Sequence, residues 1–199
     1  ISSILRGSAC VPEFQLIAEP PLAGRSHSSG KTRLAAKTDL ALVSVAIPLG
    51  QEDTAQAAIR AAYATGLPDV GRYAKSPETG ALLIRLGPDQ GLIAFEHAEP
   101  DAERIVSRSL SGALYTTDQT DAWVAVTLSG PGSRSALERI CPLDLDPSVF
   151  GVGAAARTVC EHLGVLVLCI EKDSYLLLSA SSSAESFWHA VETSLAWAS

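Results

Sequence analysis

Residues 129–150, SGPGSRSALERICPLDLDPSVF, decide how the rest of the chain reads. A strand running in from Trp123 meets the Gly-Pro-Gly turn at 130–132. An amphipathic helix follows, with Ala136, Leu137 and Ile140 on one face. Cys141-Pro142 closes it, because a residue before proline is pushed out of the helical region. The next five residues, Leu143-Asp144-Leu145-Asp146-Pro147, alternate apolar and acidic side chains and read as extended. Asp144 and Asp146 are close in sequence, but proximity alone does not make an acid/base pair.

Moving outward towards the C-terminus, residues 154–160 read as a strand. Residues 164–170 and 174–180 read as a hairpin across Glu171-Lys172-Asp173. Ser182 and Glu185 have the spacing of a capping box. Ala184, Phe187, Trp188, Val191 and Leu195 then line one face of a last helix. Towards the N-terminus the same order appears. Residues 40–47 are strand-like, Glu52 and Asp53 favour a helix start, and Ala55, Ala58, Ile59 and Ala62 share a helical face until Gly66 and Pro68 stop it. Residues 81–86 and 91–96 form a hairpin around GPDQG. Pro100 suits a first helical turn, before a stripe of Ala102, Ile105, Val106 and Ser109 that ends near Gly112.

The halves repeat one another. ALLIRLGPDQGLIAF at 81–95 matches VLVLCIEKDSYLLLS at 165–179, an offset of 84. That is too long for a solenoid unit of roughly 20–50 residues. The expected fold is α+β: two pseudo-repeated ferredoxin-like (split βαβ) halves packed as one globule, at 40–115 and 116–199. An extended N-terminal arm at 1–39 precedes them. It is rich in Ser, Gly, Pro and Ala, without sustained periodicity, and reads as a flexible terminus or a draped arm.

Charged residues make up 19% of the 199, and mean hydropathy is +0.20. No apolar run approaches the roughly 18 residues of a membrane span. The apolar excess therefore belongs to a large core or to surface meant for another chain. A net charge of −7 argues against a nucleic-acid partner. Cys10, Cys141, Cys160 and Cys169 show neither a CxxC pair nor metal-ligand spacing; the last three sit in apolar surroundings, which suits buried reduced thiols in a cytosolic protein. The chain begins at Ile1 and contains no Met. An initiator is expected upstream, and residues 1–7 do not read as the remains of a leader.

Motifs that carry chemistry are scarce. Gly30-Lys31-Thr32 lacks the glycine that a phosphate loop needs five residues before its Gly-Lys. Gly151-Val152-Gly153-Ala154-Ala155-Ala156 mimics a dinucleotide fingerprint, but no strand precedes it and no helix follows. Gly130-Pro131-Gly132-Ser133 sits between strand and helix, where N–H groups can hold an anion or simply start the helix. His162 lies two residues from Cys160 without further ligands, His189 reads as a solvated position on the last helix, and no GxSxG elbow occurs. No catalytic, cofactor-binding or metal-binding residue is assigned.

One resemblance supplies a function. The ordered set SGP at 129–131, SR at 133–134, LER at 137–139, CPLDL at 141–145, ARTV at 156–159, DSYLLL at 173–178 and SAESFWHAV at 183–191 resembles the gamma subunits of heterotetrameric sarcosine oxidase. The likeness runs over 40–197 and is strongest over 123–191. It extends more weakly to the aminomethyltransferase of glycine cleavage. The resemblance implies a non-catalytic subunit that stabilises a cytoplasmic complex with alpha, beta and delta chains. That complex oxidises sarcosine with oxygen and tetrahydrofolate to glycine, hydrogen peroxide, and formaldehyde or 5,10-methylenetetrahydrofolate. FAD, FMN, NAD, zinc and tetrahydrofolate are expected on the other subunits and none on this chain. The sequence departs from the aminomethyltransferases at Gln90-Gly91, where they often carry an aromatic, and their catalytic carboxylate and folate contacts map to no residue. A folate-binding aminomethyltransferase-like protein acting alone is the alternative; 199 residues leave no room for the further domain such an enzyme needs.

Overall fold

The computed structural model describes residues 19–198. The strands are β1 (Ser26–Ser29), β2 (Thr32–Lys37), β3 (Leu40–Ala46), β4 (Arg72–Lys75), β5 (Leu82–Arg85), β6 (Gln90–Glu96), β7 (Tyr115–Asp118), β8 (Trp123–Ser129), β9 (Ala155–Cys160), β10 (Leu163–Glu171) and β11 (Ser174–Ala180). The helices are α1 (Glu52–Tyr63), α2 (Ala102–Ser109), α3 (Ser133–Glu138) and α4 (Ala184–Trp197). The strands form two antiparallel sheets, ordered β1-β2-β8-β11-β10-β9 and β4-β5-β6-β3-β7.

Alternation along the strands explains the layering. On β10, Val165, Val167 and Cys169 join Tyr175 and Leu177 of β11 in a core shared with α3 and α4. The intervening Leu166, Leu168, Leu176 and Leu178 face the other way, against Leu42, Ile84, Leu92 and Ala94 of the five-stranded sheet. On that sheet Ala41, Val43, Val45, Leu83 and Ile93 pack under α1 and α2. The order is helices, sheet, sheet, helices. Strands covered on both faces carry almost unbroken apolar runs, which is why VLVLCI and YLLLS contain so little polar residue. The apolar excess of the composition is spent largely on this two-sided core. The exposed large apolar residues, among them Leu49, Tyr115 and Trp197, are dispersed along the chain.

The helices form for local reasons. Glu52 and Asp53 sit in the first turn of α1, where carboxylates favour the helix dipole. Ala55, Ile59 and Tyr63 are its buried residues, and Ala64 ends it in a left-handed conformation, φ 53°. The expected face of the last helix is buried throughout. Three expectations change. Pro100 precedes α2 rather than entering it, since Asp101 occupies the capping position. Ile105 faces outward at 41% exposure. Ser183, not Ser182, is the residue before α4, and Glu185 reaches Arg25 at 2.6 Å instead of closing a capping box.

The segment expected to be an arm is partly sheet. Residues 1–18 lie outside the described residues, but β1 and β2 form a hairpin whose second strand pairs with β8, from Arg33↔Ser129 to Lys37↔Ala125. Leu22 and Leu34 are buried in the core beneath α4. Arg25 pairs with Glu185 and lies 5.7 Å over the Trp188 ring. The reason is the edge of β8, whose outward N–H and C=O groups need a partner strand. Likewise β7, which straddles the expected boundary at 115/116, pairs with β3.

Two substitutions test this packing by urea unfolding. Phe187 is fully buried, so Phe187→Ala is expected to cost about 3–5 kcal/mol. Gly130 has φ +111° and a Cβ there would lie 2.4 Å from the Lys31 carbonyl oxygen. Gly130→Ala is therefore expected to lose about 1–3 kcal/mol from backbone strain alone, with further loss from displacing the hairpin.

Candidate functional site

A cleft of about 1090 Å³ lies at the seam between the sheets. Leu40, Tyr73, Leu82 and Ala94 line it from one sheet, and Lys37 and Leu176 from the other. Lys37 Nζ donates to Asp39 Oδ1 and Glu96 Oε1, both at 2.9 Å. Tyr73 donates its hydroxyl to the Cys169 carbonyl at 3.1 Å, joining β4 to β10 across the seam. Beside it the Tyr73 N–H donates to the Gly153 carbonyl, and the Ala155 N–H to Gly71.

The partners of these polar groups set their charge states. Burial works against the Lys37 ammonium, yet the hydrogen bonds to Glu96 and Asp39 more than offset it and its pKa is raised. A lysine used as a base or nucleophile needs the opposite shift. Burial raises Tyr73 too, keeping it a protonated donor. The hydrogen bond from Lys37 holds Asp39 below the usual carboxylate range. Outside the cleft, Asp101 accepts from Arg104 and contacts His97 Nε2, each at 2.6 Å, and both depress its pKa. Among the described residues no group of three or more His, Cys, Asp and Glu side chains could hold a metal ion.

The weighed motifs find structural places. Gly30, with φ +57°, makes the β1–β2 turn, and Thr32 accepts the Gly132 N–H at 2.8 Å. In the Gly-Pro-Gly-Ser turn the remaining N–H groups are also taken, Gly130 by the Asp173 carbonyl and Ser133 by Gly130. The turn fastens the hairpin and leaves no cradle for an anion. Residues 151–154 form the seam loop that leads into β9, and Ala155 and Ala156 are the first residues of that strand. His162 is exposed in the β9–β10 turn, so it does not share a strand face with buried Cys160. The sequence reading missed Tyr73 and Lys37: RYAK at 72–75 is too short to signal a strand, and Lys37 lay in the supposed arm.

The Lys37 ion pairs give a signed pH test. The lysine's contribution is complete below about pH 10.4 and is lost as pH rises through its raised folded value. That of Asp39 is present above about pH 3.9 and is lost as pH falls through its depressed value. The unfolding free energy of the protein minus that of Lys37→Met should be flat from about pH 5 to 9, on the order of 1 kcal/mol or less for so exposed a set. It should shrink at both extremes. Tyr73→Phe should cost about 1 kcal/mol at all pH values below the tyrosine range.

No family model matches the chain. It is 36% identical over 135 residues to the sarcosine oxidase subunit gamma of Corynebacterium sp. (strain P-1), covering 67% of this chain and 66% of that protein. The corresponding Arthrobacter subunit is 32% identical over 61% of this chain and 60% of its own length. The aligned stretches thus span just under two thirds of these relatives. Among solved structures, the heterotetrameric sarcosine oxidase of Corynebacterium sp. U-96 superposes with a TM-score of 0.73 at 26% identity, over 84% of this chain and 86% of that one. The aminomethyltransferase T of the Bartonella henselae glycine cleavage system shares the fold, with a TM-score of 0.58 at 13% identity, over 81% of this chain and 45% of that one. By these likenesses the chain belongs to the family of sarcosine oxidase gamma subunits.

Proposed function

We propose that this chain is the gamma subunit of a heterotetrameric sarcosine oxidase and contributes no reacting group to it. Its role is to assemble and stabilise a complex with alpha, beta and delta subunits in the cytoplasm. The observation that carries this reading is the 36% identity to a gamma subunit, joined to a TM-score of 0.73 against the heterotetrameric enzyme. The oxidation of sarcosine to glycine and hydrogen peroxide, with transfer of the one-carbon unit to tetrahydrofolate, then takes place on the other subunits. FAD, FMN, NAD, zinc and the folate are held there. The described residues fit that division, since the ionisable groups of the cleft are shifted towards their ordinary charge states.

The finer reading of the fold belongs with it. We read the chain as an N-terminal segment, 1–39, and two ferredoxin-like copies, 40–115 and 116–199, with β7 running over their division. Strand order supports this: β7-β3-β6-β5 and β2-β8-β11-β10 follow one pattern. The second copy takes its outer strand from the N-terminal segment, where the first takes β7, which follows it directly in the chain.

Co-expression tests the role. The tagged chain is expected to bring down the other three subunits as one complex with sarcosine-dependent oxygen uptake, and to show no such activity alone. Normal activity and assembly of the other subunits in its absence would end the proposal. The alternative, a folate-binding protein acting alone, predicts saturable tetrahydrofolate binding by the isolated chain. The expected titration is flat.

A further inference from the structure

Cys141 and Cys160 meet in the core beneath α4, and nothing in the subunit role requires them to. The chain turns after α3 so that the Cys141 N–H donates to Leu137 at 2.8 Å. The carbonyl of Ile140 accepts the Glu161 N–H at 2.7 Å. One backbone bond therefore pins 140–141 against 160–161. The Cys141 Sγ lies 3.9 Å from the Thr158 hydroxyl, and Thr158 and Cys160 share a face of β9 by the two-residue strand period. Both thiols are free, with Cys141 5% and Cys160 0% exposed. Cys169 stands apart, its Sγ directed at the Glu171 carbonyl at 3.5 Å.

The two sulfurs are not equivalent. The Cys160 thiol is the largest influence on Cys141; burial opposes it, and the Leu143 N–H and Thr158 hydroxyl assist it, bringing the pKa of Cys141 down to about 6. Cys160 moves the other way, because it donates to Cys141 and is buried. A thiolate beside a protonated thiol has the makings of an attacking and a resolving cysteine.

We propose that Cys141 and Cys160 form a modification site at which a hydroperoxide makes an intramolecular disulfide between the end of α3 and β9. The Cys141 thiolate attacks the distal oxygen of hydrogen peroxide. The O–O bond breaks, hydroxide leaves, and Cys141 becomes a sulfenic acid, oxidised by two electrons as the peroxide is reduced. Cys160 then attacks that sulfur. The S–S bond forms, the sulfenic oxygen leaves as hydroxide, and the Cys160 proton converts hydroxide to water. The sum is two thiols and one peroxide giving one disulfide and two waters. The inference stands whether or not the chain sits in an oxidase.

The test uses the full chain with Cys10→Ala, leaving three thiols, treated with hydrogen peroxide and then analysed by alkylation and peptide mass spectrometry. The expected result is loss of two thiols and a linked peptide pair carrying Cys141 and Cys160, with Cys169 alkylated. The reaction is expected to be about tenfold slower at pH 5 than at pH 8, following the thiolate fraction. With Cys160→Ser, dimedone is expected to trap sulfenic acid at Cys141 and no link to form. These readings come from the unmutated pair first, so a variant that fails to fold does not decide the matter. Three thiols remaining at peroxide excess, dimedone capture at Cys160 before Cys141, or Cys141 advancing to sulfonic acid with no linked peptide would each overturn the proposal.

Discussion

The structure depends on covering both faces of each sheet. A sheet with helices on one side and solvent on the other needs one apolar stripe per strand. Here the second face of each sheet is the other sheet, so β10 and β11 carry apolar side chains at nearly every position. Neither sheet could stand without its partner, since Leu166, Leu168, Leu176 and Leu178 would meet water on one side. At about 25 cal/mol per Å² of apolar surface, exposing four leucines would cost most of the stability of an ordinary domain.

Polar contacts then set how the two sheets lie. Tyr73, Gly71, Gly153 and Ala155 stitch β4 to the loop before β9 through backbone and hydroxyl bonds. Lys37, on one sheet, binds Glu96 on the other. These bonds are weak singly. Their value is geometric, because apolar contact alone would let two flat leucine surfaces slide. The same bonds occupy the polar groups of the seam, so what holds the sheets in register also satisfies the groups buried between them.

Much of this was legible. The two hairpins at 82–96 and 163–180, the faces of α1 and α4, and the turn after β8 follow from period, turn residues and proline. What was not legible are pieces whose identity is decided by a neighbour. β4 and β7 are four residues each, and their sequences, RYAK and YTTD, carry no apolar alternation. The β1–β2 hairpin reads as a polar segment because it lies on an edge with one face to solvent, and only the unmet hydrogen bonds of β8 call it into the sheet. Ile105 was placed inward by spacing, yet α2 is so short that Ala102, Val106 and Leu110 fill its contact. The family likeness was readable from ordered residues over 129–191, and the pairing of Cys141 with Cys160 was not, since nothing in their spacing brings β9 back against α3.

The place of the hairpin has a consequence for biosynthesis. Arg33 pairs with Ser129, so β2 leaves the ribosome long before the strand it needs exists. At about 5–20 residues per second the wait for roughly 100 residues is on the order of 5–20 seconds. During it the five-stranded sheet can close on its own, because β3, β4, β5, β6 and β7 are contiguous in the nascent chain. The β1–β2 hairpin has no edge to join until β8 emerges, so β2 can take its place in the sheet only after more than half of the chain has been made.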